Sequence, residues 1–113
     1  MLIAITTFVE SKLFTRLVEQ YLSDDSYRQL QTTLASAPEA GPVIPGSGGL
    51  RKLRWSLPGR GKRGGLRVIY YVKVRQDIIW LLTLYPKNVA DNIPQHVLRQ
   101  IRKEVDDEKV EDS

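Results

Sequence analysis

One hundred and thirteen residues without a cysteine make one domain with enough chain to bury a core unaided, and they exclude thiolate zinc sites, disulfide frameworks and cysteine nucleophiles. The net charge of +4 hides an asymmetry, because the last ten residues, Glu104 to Ser113, hold six acids against one lysine. The opening MLIAITTFVES has no positively charged leader and too short an apolar run for a signal peptide or a membrane span, which predicts a soluble, cytoplasmic protein with no membrane partner.

Ile3 to Phe8 is a short run rich in Ile and Thr and predicts a first strand. Ser11 is placed to cap a helix in which Leu13, Phe14, Leu17, Val18, Tyr21 and Leu22 form one apolar stripe. Ser23, followed by Asp24 and Asp25, restarts a second helix whose Tyr27, Leu30, Gln31 and Leu34 continue the stripe until Pro38. The two helices read as a packed pair of scaffolding elements. Pro38 to Gly49 carries three prolines and four glycines and predicts a connector, not a central strand.

Leu50 to Leu57 alternates, with Leu53, Trp55 and Leu57 on one face and Lys52, Arg54 and Ser56 on the other, the pattern of a half-buried strand. PGRGKRGG, Pro58 to Gly65, combines four glycines with three cations and reads as a flexible turn. It lacks the spacing and the Lys-Ser/Thr ending of a phosphate-binding P-loop. Leu66 to Arg75 and Ile78 to Tyr85 predict two further strands joined near Gln76 and Asp77. In the first of these, Arg67, Ile69, Tyr71 and Lys73 share one face, and Leu66, Val68, Tyr70, Val72 and Val74 the other.

Asn92 and Gln95 resemble a capping box around Pro94, so a third helix is expected from about Ile93, with Val97, Leu98, Ile101 and Val105 as its buried stripe. From Asp106 the acidic end, residues 106–113, is expected to fray. The order β-α-α-β-β-β-α predicts a single α+β domain over residues 1–113, with a small antiparallel-rich sheet packed against helices.

From Gly41 to Gln76 there is no carboxylate, yet nine cations accumulate there: Arg51, Lys52, Arg54, Arg60, Lys62, Arg63, Arg67, Lys73 and Arg75. Trp55, Tyr70 and Tyr71 are interleaved with them. Concentrated cations and aromatics suit a partner made of phosphates and flat rings, namely nucleic acid; a solvated basic hairpin with core aromatics is the plainer alternative. His96 is the lone histidine, which excludes catalysis by paired histidines. No spacing of carboxylates or histidines suits a metal, so no metal and no cofactor is expected. Cleaving RNA without them requires deprotonation of a 2′-hydroxyl, stabilisation of the phosphorane and departure of the 5′-oxygen. Arginine suits the second task because it stays protonated and binds phosphate oxygens bidentately.

LRKLR at Leu50 to Arg54, GKRGGLRVIYY at Gly61 to Tyr71 and LLTLYPKN at Leu81 to Asn88 resemble HigB-type members of the RelE/ParE toxin superfamily. The resemblance extends over most of the chain, including VES at Val9 to Ser11 and YLSDDSYRQLQ at Tyr21 to Gln31. It implies a RelE-like fold and the toxin of a type II toxin–antitoxin system: a metal-independent endoribonuclease that cuts translated messenger RNA in the ribosomal A site and leaves a 2′,3′-cyclic phosphate. The implied partners are the ribosome with its message and an antitoxin, encoded adjacently and of helix-turn-helix type, through which alone operator DNA is reached. Residue by residue, it implies that Arg67 contacts the scissile phosphate and that Lys87 is a catalytic or phosphate-binding cation. Lys52, Arg54, Lys62 and Arg63 are implied to grip RNA or stabilise the transition state, Arg54 being grouped with Arg67 and Lys87 as catalytic. Tyr71 and Tyr85 match positions that stack on a base or hold the attacking sugar, or are core aromatics. RelE-like members also carry a catalytic tyrosine in the C-terminal segment; this chain has none after Tyr85, so no general base is assigned. A ParE-like gyrase inhibitor and a non-catalytic nucleic-acid-binding module are the competing readings.

Overall fold

A computed structural model describes residues 6–56, 65–87 and 93–108. Strand β1 spans Thr7–Glu10, the rest of the strand expected over Ile3 to Phe8 lying mostly outside the described residues. Helix α1, Lys12–Tyr21, begins where predicted because the Ser11 hydroxyl accepts the Phe14 amide at 3.0 Å, satisfying one of the donors that a helix start leaves unpaired. Helix α2, Asp24–Ser36, is capped in the same way by Ser23, which accepts from Ser26 N at 3.1 Å, with Asp24 and Asp25 in the favourable field of its first turn. The helices meet through Phe14 and Tyr27, whose ring centroids are 5.9 Å apart.

Strands β2, Arg51–Trp55, β3, Leu66–Lys73, and β4, Ile78–Pro86, follow. The sheet order is β1-β4-β3-β2. The β2–β3 and β3–β4 pairs are antiparallel, but β1 runs parallel to β4, so the sheet is mixed. β3 ends two residues before the predicted Arg75, because Val74–Gln76 turns into a 3₁₀ segment closed by Asp77 at φ 55°, a left-handed conformation that Asp tolerates better than most residues. Opposite β3 the register slips: Ile69 faces Thr83 and Tyr70 faces Leu81, leaving Leu82 without a partner. Helix α3, Gln95–Glu108, starts after Pro94, whose carbonyl accepts the Val97 and Leu98 amides at 3.0 and 3.1 Å. Asn92, the other half of the expected capping box, lies outside the described residues. The first acids of the tail belong to this helix, where Arg102 pairs with Asp106 at 3.0 Å.

Both faces of the sheet are covered, which is why β3 and β4 read as nearly continuous apolar runs. On one face Phe14, Val18, Leu30 and Leu34 of the helical pair pack against Leu53, Val68, Tyr70 and Leu81. On the other, Leu98 and Val105 of α3 pack against Leu50, Ile69, Trp80 and Leu82. The proline- and glycine-rich connector is pinned to this frame. Tyr70 donates its hydroxyl to Pro38 O at 2.7 Å and accepts Gly41 N at 2.9 Å, and Gly41 lies so close to β2 that a Cβ there would meet the Lys52 carbonyl at 2.8 Å.

Tyr27 and Tyr70 have their hydroxyl pKa values raised, in both cases first by burial; for Tyr27 the hydrogen bond to Glu10 adds to it. Because the native state holds these protons more tightly than the unfolded chain, their contribution is intact below the ordinary tyrosine value of about 10 and is lost as pH climbs beyond it. Urea midpoints are expected to fall between pH 9 and pH 11, and Tyr27→Phe to flatten that fall.

Candidate functional site

The antiparallel register assembles a row of side chains on the face of the sheet that α3 also occupies. Arg54 of β2 lies directly opposite Arg67 of β3, and Arg67 lies directly opposite Tyr85 of β4. Such partners have Cβ atoms roughly 4.5–5.5 Å apart. One row further along, Lys52 faces Ile69, and Ile69 faces Thr83. Lys87 is held at the same end of the sheet, since its amide donates to Gly65 O at 3.3 Å, one step beyond the Leu66–Pro86 pair.

Simple alternation along β4 would put Tyr85 on the same face as Ile79 and Leu81, against the helical pair. The unpaired Leu82 resets the phase, so that Thr83 and Tyr85 turn to the face of Arg67. This bulge is therefore what completes the row. The Leu82 carbonyl is taken up from outside the sheet by the Ser11 hydroxyl at 2.7 Å.

The electrostatics of the row are unbalanced. Arg67 is only 6% exposed, and among the described residues its guanidinium makes a single hydrogen bond, at 3.4 Å, to the carbonyl of neighbouring Leu66. It faces another arginine, and β2, β3 and β4 contain no carboxylate. Like charges directly opposite each other repel, and a buried cation without a partner is costly. An anion seated between Arg54 and Arg67 would relieve both penalties.

Arg54 and Lys87 are exposed, Lys52 and Tyr85 partly so. Tyr71 shares the strand face with Arg67 but is four residues along β3, roughly 13 Å away at strand rise. There Arg102 of α3 lies 4.2 Å over its ring and donates to its hydroxyl at 3.1 Å. The structure therefore does not bring Tyr71 into the row. Lys62 and Arg63 fall outside the described residues. His96 is exposed on the first turn of α3. Among the described residues no group of three or more His, Cys, Asp or Glu side chains is arranged to hold a metal, and no helix is long and apolar enough to cross a membrane.

Two residues escaped sequence reasoning. Thr83, a buried hydroxyl in the row of Lys52, was visible only as a lone polar residue inside LLTLYP. Arg102 ties α3 to the connector by donating to Gly48 O at 2.9 Å; its one sequence signal is Asp106, four residues on.

No protein-family model matches the chain. Among solved structures, it is similar to a mutant of the E. coli toxin RelE in the free state, at 16% identity with a TM-score of 0.50, covering 76% of this chain and 87% of that one. It is also similar to a chain of the intact E. coli RelBE toxin–antitoxin complex, at 15% identity with a TM-score of 0.51, covering 73% of this chain and 96% of that one. At such identity the likeness is one of fold: three helices around a four-stranded mixed sheet.

Proposed function

We propose that this RelE-folded chain is the toxin of a toxin–antitoxin pair and an endoribonuclease that cuts messenger RNA in the A site of the translating ribosome. The observation that carries this reading is the buried Arg67 guanidinium, which has no counter-ion among the described residues and stands in register between Arg54 and Tyr85. The fold shared with RelE supports it. A cationic row prepared in advance for negative charge is what an unstable phosphorane requires.

In this mechanism the 2′-oxygen gives up its proton and attacks the adjacent phosphorus. The bond from phosphorus to the 5′-oxygen breaks, a proton is delivered to that oxygen, and a 2′,3′-cyclic phosphate remains. Arg67 and Arg54 hold the non-bridging oxygens, where charge grows during attack. Lys87, at the end of β4, sits on the leaving side as the cation that neutralises the 5′-oxygen. Tyr85 packs against the attacking sugar or its base, and Lys52, with Lys62 and Arg63, grips the flanking phosphates. Tyr71, held by Arg102, fixes α3 against the sheet. No residue is assigned as the general base. The partners are the ribosome with its message and an adjacently encoded antitoxin of helix-turn-helix type, within the cytoplasm.

Primer extension on a message translated in a reconstituted system tests this. Codon-phased cuts ending in cyclic phosphate are expected, and naked RNA should stay whole at the same protein concentration. Arg54→Ala and Lys87→Ala should each slow cutting roughly 10- to 100-fold, as the loss of one hydrogen bond to a charged group implies. Intact message combined with blocked gyrase supercoiling would instead mark a gyrase inhibitor.

A further inference from the structure

The end of the sheet farthest from the arginine row has a feature of its own. β2 begins at Arg51, opposite Tyr70, whereas β3 continues to Lys73. Tyr71, Val72 and Lys73 are paired to β4 on one side, and none of the described residues pairs with them on the other. The outer side of β2 is already occupied there, by the Val43–Arg51 bridge. β3 thus presents an open strand edge about 10 Å long, and an open edge is a template for another strand.

The edge lies between two depressions. Toward α2 is a groove of about 670 Å³ with Pro38, Val43, Val72 and Ile79 in its walls, a volume typical of sites that bind ligands. Toward α3 is a depression of about 440 Å³ that contains Lys73, Arg75 and Arg102. The two most exposed large apolar side chains among the described residues, Val74 at 83% and Val43 at 48%, both border the first groove. Of the acids lining the two depressions, Asp106 pairs with Arg102, Asp77 accepts from the Thr6 hydroxyl at 3.4 Å, and Glu39 stands in the wall of the apolar groove, which Arg75 does not line. The Lys73 ammonium lies 5.2 Å from the centre of the Trp80 ring, a contact that leaves its charge uncompensated, and with Arg75 it lines the second depression, where both cations can meet an incoming acidic group.

We propose that the Tyr71–Lys73 edge of β3 is a docking site for an extended segment of a partner polypeptide whose residues alternate apolar and acidic. Successive side chains of a strand point to opposite sides. A strand added here therefore sends every second residue into the apolar groove and the residues between them toward Lys73 and Arg75. An open backbone edge favours a polypeptide over RNA, because its unpaired amides and carbonyls need matching groups at strand spacing.

Binding alone decides this, whatever the protein cleaves. Random linear dodecapeptides displayed on phage are selected against the full-length protein, and the enriched peptide is synthesised and its affinity measured by calorimetry. Enriched sequences should show apolar residues at every second position with Asp or Glu between them. Val74→Asp and Lys73→Glu should each weaken binding about tenfold, whereas Arg54→Ala should leave it within a factor of about two. N-methylation of the peptide should abolish binding at alternate backbone positions only. Because Val74 is exposed, its variant should keep the parent melting temperature and cut message at the parent rate. The proposal falls if no peptide is enriched, if enriched peptides ignore Val74→Asp, or if N-methylation shows no alternation. It also falls if light scattering finds a dimer that Val74→Asp dissolves, which makes a second copy the occupant, or if an RNA oligonucleotide displaces the peptide and is itself lost in Lys73→Glu.

Discussion

Arg67→Met is expected to give a protein that resists urea better than the parent and scarcely cleaves message. The two halves of this expectation come from one arrangement. Arg67 is buried, has one weak hydrogen bond among the described residues, to a neighbouring carbonyl, and stands opposite Arg54. Methionine fills similar space along the stem without a charge to desolvate, and replacing buried ionic groups by apolar ones of like volume gains about 1–4 kcal/mol where compensation is poor. Removing one preorganised donor from a site where negative charge develops costs about 10²–10³ in rate. Urea melts and primer extension on the same preparation check both signs. Arg67→Lys should recover little cleavage, because an ammonium cannot reproduce the bidentate fork. A variant that is less stable than the parent yet still cuts would show that Arg67 is a structural residue, and the nuclease reading would lose its centre.

Opposed effects of this kind are expected where a fold keeps a costly group for its chemistry. They also explain which parts of the structure could be seen in the chain. Local rules were enough for Ser11 and Ser23, since each caps a helix within three residues of itself. They were enough for the shared face of Lys52, Arg54 and Arg67, because alternation about Leu53 and Trp55 decides where β2 points and the antiparallel register does the rest. They failed where the deciding partner is distant. The parallel pairing of β1 with β4 joins Thr7 to Ile78, and no pattern within β1 encodes it. Tyr71 looked equivalent to Arg67 by alternation, yet Arg102, thirty-one residues away, claims its ring and hydroxyl. Tyr85 reached the row only through the bulge at Leu82, where strict alternation gives the opposite face.

That bulge makes Ser11→Ala the largest stability effect expected from a single hydroxyl. The Ser11 oxygen accepts the Phe14 amide at 3.0 Å and donates to Leu82 O at 2.7 Å, so one atom both starts α1 and satisfies the carbonyl of the residue that has no partner across β3. Loss of the cap costs about 1 kcal/mol. The Leu82 carbonyl, left buried and unpaired, adds about 1–3 kcal/mol, for a total near 2–4 kcal/mol. Ser23→Ala supplies the control, because Ser23 is exposed and, among the described residues, its hydroxyl accepts the Ser26 amide at 3.1 Å and makes no second hydrogen bond; it should cost about 1 kcal/mol and no more. If the bulge sets the phase of Thr83 and Tyr85, folded Ser11→Ala protein should also cut message more slowly per molecule than Ser23→Ala, although Ser11 lies outside the row itself. Equal urea midpoints for the two variants would mean that the Leu82 carbonyl has another partner, and equal cleavage would mean that the placement of Tyr85 beside Arg67 does not depend on this hydrogen bond.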